Sequence, residues 1–224
     1  MANEKAYRCA VVVLVVLMSF IAIECHAQEL PHDRSCTVSG AGIFATPEGQ
    51  DRQNFNHGGW GFQAGGGFAV TRQAESGRGL RLYLTGNYLY NKFRVRESAL
   101  LAAIPKEPAI TGAVQAHGSF SAITFDPTLR YTRGLYSVYG VGGFGWLRRG
   151  LGFNGANPVP PLFPNGSSLD RVASNSGVFD FGMGINFAPR RWHGLMVFTE
   201  GRFYHGAAIN SGSSLVPVSV GLRW

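Results

Sequence analysis

Beyond residue 34, hydrophobic and polar residues alternate along most of the chain. Successive side chains of a β-strand point to opposite faces, so alternation marks a strand between two different environments. Between Gly79 and Asn91, Leu80, Leu82, Leu84, Tyr88 and Tyr90 share one side, and Arg81, Thr85, Asn87 and Asn91 the other. Phe179, Phe181, Met183, Ile185 and Phe187 oppose Asp180, Gly182, Gly184 and Asn186. Ile123, Phe125, Leu129 and Tyr131 oppose Thr124, Asp126, Thr128 and Arg130, while Leu195, Val197, Gly201 and Phe203 oppose Glu200 and Arg202. The pattern predicts eight strands: Ser35–Phe44, Gly58–Thr71, Gly79–Asn91, Ser119–Tyr131, Leu135–Leu147, Gly177–Phe187, Leu195–Tyr204 and Ser214–Trp224. Only the fifth leaves its faces ambiguous, with apolar residues on both. Strands of this length suit a bilayer, which a β-strand crosses in about 9–11 residues; ordinary globular strands have about 5–6.

The connections alternate long and short. The long ones include "KFRVRESALLAAIPKEPAITGAVQAHG" and "RRGLGFNGANPVPPLFPNGSSLDRVASNS"; the short ones are "RQAESGR", "TRG" and "APRRWHG". Membrane barrels show this rhythm, with short turns on one side and long loops on the other. Compact soluble domains rarely carry long structureless loops.

Charge decides which face is outside. The strands carry Arg81, Arg130, Arg202 and Arg223 against Asp126, Asp180 and Glu200. These are too few for a wet outer surface. They suit a narrow interior, where buried charges need partners because desolvation is costly. An eight-stranded barrel has an interior just wide enough for side chains to fill. The expectation is an all-β, antiparallel, up-and-down transmembrane barrel plugged by an ion-pair network of Arg81, Asp126, Arg130, Asp180, Glu200, Arg202 and Arg223. Amphipathic rings near strand ends (Trp60, Tyr88, Tyr90, Tyr131, Tyr136, Trp146, Trp192, Tyr204 and Trp224) fit interfacial girdles.

Composition adds the compartment. Charged residues are 15% and Gly numbers 31, with 16 Phe, 8 Tyr and 4 Trp; disordered chains lack such aromatics. Lys5 and Arg8 precede the apolar run "AVVVLVVLMSFIAI", and "CHA" ends at Ala27. This order predicts a secretory signal peptide over 1–27, a short periplasmic leader over 28–34 and the barrel over 35–224. Cleavage would remove Cys9 and Cys25 and leave Cys36 with no disulfide framework. The formal net charge of +7 lies wholly beyond the signal, where Lys5 and Arg8 balance Glu4 and Glu24. In an exported chain it points to an anionic lipid surface rather than nucleic acid.

The signal, the eight strands, the loop rhythm and the terminal "VSVGLRW" together resemble the small outer-membrane β-barrel proteins of Gram-negative-type bacteria, the OmpA/OmpX type. The resemblance implies residence in the outer membrane, insertion by the barrel assembly machinery, and a terminal-strand assembly signal at Val218, Val220, Leu222 and Trp224. Pro217 departs from the pattern, since proline cannot donate to a ladder; a bulge would accommodate it.

Other motifs carry little chemistry. "GVGGFG" at 140–145 has dinucleotide-fingerprint spacing but lies inside a strand, and the fingerprint needs a helix after it. His32, His57, His117, His193 and His205 show no metal-ligand spacing. Some barrels of this type resemble serine hydrolases with a His-x-Ser-Asn run at the outer rim. Here the run is "HGAA", so Ala207 stands at the nucleophile position beside His205. Loop cations Lys92, Arg94, Arg96, Lys106, Arg148, Arg149 and Arg171 outnumber Glu97, Glu107 and Asp170, which suits contact with lipopolysaccharide phosphates. The whole reads as a monomeric, non-enzymatic barrel without metal or cofactor, having a structural or surface-interaction role. A small solute channel is the alternative, and a lipid-modifying enzyme a further one.

Overall fold

In a computed structural model the described residues are 35–49, 51–56, 58–71, 79–96, 115–154, 171–189, 192, 194–207 and 213–224. The expected signal peptide, the leader, His32, His57, His193 and most of the two long loops, including "NPVPPLFPNG", lie outside them. Eight strands form one closed antiparallel barrel in sequence order. They are β1 (Cys36–Glu48), β2 (Gly59–Ala69), β3 (Gly79–Arg94), β4 (Gln115–Arg133), β5 (Tyr136–Asn154), β6 (Arg171–Phe187), β7 (Met196–Ala207) and β8 (Ser213–Arg223). One short helix, α1 (Asp51–Asn54), follows β1.

Closure is made by β1 and β8, paired from Ser39↔Arg223 to Glu48↔Ser214. At the seam Val38 and Trp224 exchange backbone hydrogen bonds: each amide donates to the other's carbonyl, at 2.7 and 2.8 Å. Closing the sheet leaves no strand edge with unpaired backbone groups. Pro217 makes no bulge. Its register against Ala45 is unbroken, and only the local β7 ladder is interrupted between Gly201↔Val218 and Tyr204↔Leu215. β4 and β5 meet in a turn at Gly134 and Leu135, where Gly134 takes φ 63°. That left-handed conformation is what tight hairpin turns ask of glycine.

The strands run further than alternation alone indicates. β3, β4, β5 and β6 have 16, 19, 19 and 17 residues. Lys92, Arg94, Arg148, Arg149 and Arg171, expected in loops, therefore belong to strands. In β3, β4 and β5 the reason is that the loop ends pair regularly while inward side chains such as Phe93, Phe120 and Leu147 are apolar, so the polar-apolar contrast fades. Cys36 is disulfide-bonded in the full-length chain; the expected lone thiol belongs to the chain cleaved after Ala27.

The outer surface is apolar. Phe44, Phe62, Leu84, Phe125, Phe144, Phe181 and Val220 are exposed, one from every strand but β7, and Phe144 reaches 72% and Met183 74%. The outward positions of β7 are Val197, Thr199, Gly201 and Phe203. In β5 the ambiguity resolves: Tyr136, Val138, Phe144 and Trp146 face out, and Ser137, Tyr139, Val141 and Leu147 face in. Tyr204, expected in an aromatic girdle, is buried inside at 1% exposure, because it has the same parity as Glu200 and Arg202.

Candidate functional site

The chemistry of the barrel lies in its lumen, which is layered along its axis. At mid-height Arg202 on β7 is the hub. Its Nη1 donates to Asp126 Oδ2 on β4 at 2.8 Å and to Asp180 Oδ2 on β6 at 2.9 Å, and its Nε donates to Glu200 Oε1 at 2.6 Å. Neutral groups complete the carboxylates. Asn87 Nδ2 and Thr124 Oγ1 donate to Asp126 Oδ2 at 2.5 and 3.0 Å. Gln63 Nε2 donates to Glu200 Oε1 at 3.1 Å, and the Tyr139 hydroxyl to Oε2 at 2.8 Å. Ser219 Oγ in turn holds Gln63 by donating to its Oε1 at 2.8 Å. Charge-assisted bonds of this length are the strong class. Glycine makes room for them: a Cβ on Gly143 would overlap Asp126 Oδ1, and one on Gly184 would overlap the Tyr139 hydroxyl.

Towards the short-turn end the lumen is cationic. Arg223 lies 3.8 Å from Glu200, donates to Asn186 Oδ1 at 2.8 Å, and covers the rings of Tyr139 and Phe198 at 4.7 and 4.5 Å. Arg130 and Arg81 face one another across the β3–β4 ladder. Both approach the Tyr83 ring, at 4.2 and 5.3 Å, and Arg81 Nε donates to the Thr71 carbonyl at 3.0 Å. Cation–π contacts of desolvated guanidinium groups contribute about 2 kcal/mol or more.

Towards the loop end the lumen is filled by Ile43, Leu89, Phe93, Phe120, Leu147 and Leu215, among others. Phe55, just after α1, drops its ring between Phe93 and Phe120, at 5.8 Å from each. The α1 segment is latched by Arg149, whose Nη1 donates to Asp51 Oδ1 at 2.8 Å and to Ser213 Oγ at 2.9 Å. Burial raises the Asp51 carboxyl above its ordinary 3.8, a shift that Arg149 and the Ser213 hydrogen bond oppose.

Of the residues expected in the network, Asp126, Asp180, Glu200, Arg202 and Arg223 meet. Arg81 and Arg130 do not join them; they stack on Tyr83 instead, because their position nearer the turns separates them from the carboxylates. Arg149 is corrected from a loop cation to an inward latch. Alternation shows Asn87 on the polar face of its strand but not its contact with Asp126. Gln63 and Tyr139 sit among apolar residues and glycines, and no local signal marks them. Val218, Val220 and Leu222 are exposed on the outer face, and Trp224 is at the seam. The 140–145 glycine run is barrel wall throughout. His205 finds a hydroxyl after all: its Nδ1 is 2.9 Å from Ser214 Oγ on β8. Among the described residues no carboxylate hydrogen-bonds His205, and its ring packs on Phe179 at 5.1 Å. No group of three His, Cys, Asp or Glu among the described residues could hold a metal ion.

A closed eight-stranded wall, apolar outside and filled inside, is one architecture. The fold is that of a small outer-membrane β-barrel. No protein-family model matches the chain, and no curated protein does. Among solved structures the barrel is similar to Ail, the attachment invasion locus protein of Yersinia pestis, in complex with the heparin analogue sucrose octasulfate. That match has 12% identity and a TM-score of 0.44 and covers 85% of this chain and 97% of Ail. Neisserial surface protein A matches at 11% identity and TM-score 0.49, over 84% and 96% of the two chains. The outer membrane enzyme PagL matches at 16% and 0.39, over 84% and 97%. Likeness at such identities concerns the fold alone.

Proposed function

We propose that this chain is an integral outer-membrane barrel with a closed lumen, whose role is structural or interactional and is exercised through its loops rather than by conduction or catalysis. The observation that carries the reading is the pairing of an apolar exterior with a filled interior. Large apolar side chains exposed on seven strands would be unstable in water and are stabilised in hydrocarbon. Inside, the Arg202 hub spans the lumen at mid-height and Phe55 stoppers the loop end. A continuous water path would need both to be displaced. β4 and β5, at 19 residues each, exceed what a bilayer needs, so their loop ends would stand beyond it and carry the long loops outward. The basic balance and exposed Lys92 and Arg94 suit anionic lipid at that rim.

Expression in a Gram-negative host tests the reading. The expected result is a heat-modifiable band in the outer-membrane fraction and protease-sensitive sites on intact cells within the long loops. Recovery as a soluble periplasmic protein would overturn it. The His205–Ser214 contact favours acyl transfer as the second reading. A general base must also be oriented and an oxyanion bound, and the described contacts of His205 supply neither. Lipid A mass spectrometry is expected to show no acyl change on expression; a change abolished by Ser214→Ala and by His205→Ala would make the barrel an enzyme.

A further inference from the structure

Arg81, Arg130, Arg202 and Arg223 are buried on the inner face of the strands, with the carboxylates Asp126, Asp180 and Glu200. All three carboxylates converge on Arg202, and Arg223 shares Glu200. Arg130 is only 6% exposed and its Nε has no hydrogen-bond partner. One face is covered by the Tyr83 ring, and across the ladder stands a second cation, Arg81. A guanidinium does not lose its proton in a protein. A buried one without an anion forfeits hydration with no counter-charge in return.

Beside Arg130 a cavity enters the barrel at the short-turn end. It is lined by Arg130, Tyr83, Thr37, Thr132, Ser137 and Trp224, with other turn residues at its mouth. A second pocket shares Thr37 and Arg130 and continues inward to Glu200 and Arg202. The cavity is thus lined by the Arg130 guanidinium, whose Nε has no partner, and by three hydroxyls on strands β1, β4 and β5, of which Ser137 Oγ accepts from Asn186 Nδ2 at 2.8 Å and keeps its own proton to donate. Donors that converge from several directions fit a tetrahedral oxyanion better than a planar carboxylate, which presents only two oxygens.

We propose that this vestibule binds a compact phosphate group, with Arg130 as its principal ligand and Thr37, Thr132 and Ser137 as hydroxyl donors. The inference rests on the barrel interior and is independent of the role proposed for the loops. The phosphate can be a free anion or the headgroup of an anionic lipid at the rim, where Tyr136 is 59% exposed.

The test uses the full chain folded in neutral maltoside detergent and in nanodiscs. The heat-modifiable transition is followed with inorganic phosphate, with chloride at matched ionic strength, and in phosphatidylglycerol against phosphatidylcholine discs. Wild type is expected to gain thermal stability with phosphate or with phosphatidylglycerol, and not with chloride. A gain with inorganic phosphate alone identifies a free anion, and one in phosphatidylglycerol alone a headgroup. Arg130→Met should fold at least as well as wild type without phosphate and lose the response. Arg130→Lys keeps the charge but not the planar fork, and should weaken the apparent affinity at least tenfold. No response of wild type to either source, a response equalled by chloride, or an unchanged response in Arg130→Lys would overturn the proposal.

Discussion

Arg202 and Asp126 join two strands, β7 and β4, that share no ladder, and their 2.8 Å ion pair crosses the lumen. Both side chains are almost wholly buried, at 3% and 0% exposure. Removing one member of such a pair leaves the other as an uncompensated buried charge, at a cost of about 3–5 kcal/mol. Arg202→Met leaves Asp126 and Asp180 without their cation and Glu200 with Arg223 alone, at 3.8 Å. It is expected to lower the unfolding midpoint of the folded barrel in urea by more than Asp126→Asn, which keeps the shape and the other carboxylates of the hub. Equal midpoints for wild type and Arg202→Met would show that the hub contributes no stability.

Two glycines of one run should respond oppositely to the same substitution. A methyl at Gly143 overlaps Asp126 Oδ1 and the Phe125 carbonyl, whereas at Gly140 it meets nothing within 4 Å. Gly143→Ala is expected to cost about 1–3 kcal/mol through overpacking. Gly140→Ala should be neutral or stabilise by about 0.4–1 kcal/mol, since it restricts the unfolded chain. Urea unfolding of both variants checks this; equal effects would mean that the glycines are not making room for the network.

The alternation of β3 and β6 was plain because Arg81, Asn87, Asp180 and Asn186 stand against rows of leucines and phenylalanines. The same test loses contrast where the lumen itself is apolar. Leu89, Phe93, Phe120 and Leu147 all point inward, so both faces of those strands read as hydrophobic and the fifth strand looked ambiguous. The α1 latch was illegible for another reason: the partner of Asp51 is Arg149, 98 positions away, and only the barrel's closure brings them together. Likewise, the charges of the plug can be found by counting. Which of them meet depends on the stagger of the strands, so Arg130 could not be told from Arg202 without the fold.

The α1 latch should respond to pH. The folded-state pKa of Asp51 is raised above 3.8 by burial. A raised carboxyl pKa stabilises docking where the group is protonated in both states. That contribution declines as pH rises past the unfolded value and is gone above the folded one. Trypsin cleavage after the exposed Arg52 should therefore be slower at a pH near 4 than at neutral pH, after correction for enzyme activity. Asp51→Asn should flatten this dependence. Cleavage that slows as pH rises, or an unchanged profile in the variant, would reverse the sign assigned to burial.

The seam carries a prediction about biogenesis. Trp224 exchanges two backbone hydrogen bonds with Val38, and the apolar face of β8 is exposed at Val218, Val220 and Leu222. Deleting Trp224 is expected to reduce the heat-modifiable fraction in the outer membrane several-fold and to increase the unfolded periplasmic pool. An unchanged folded fraction would mean that the terminal strand neither seals nor signals assembly.

The closed lumen is tested most directly by single-channel recording of the purified wild-type barrel in planar bilayers. The account predicts no steady ohmic openings, because the Arg202 hub and the Phe55 stopper block the axis in series. Steady, reproducible openings of the wild-type barrel would contradict it.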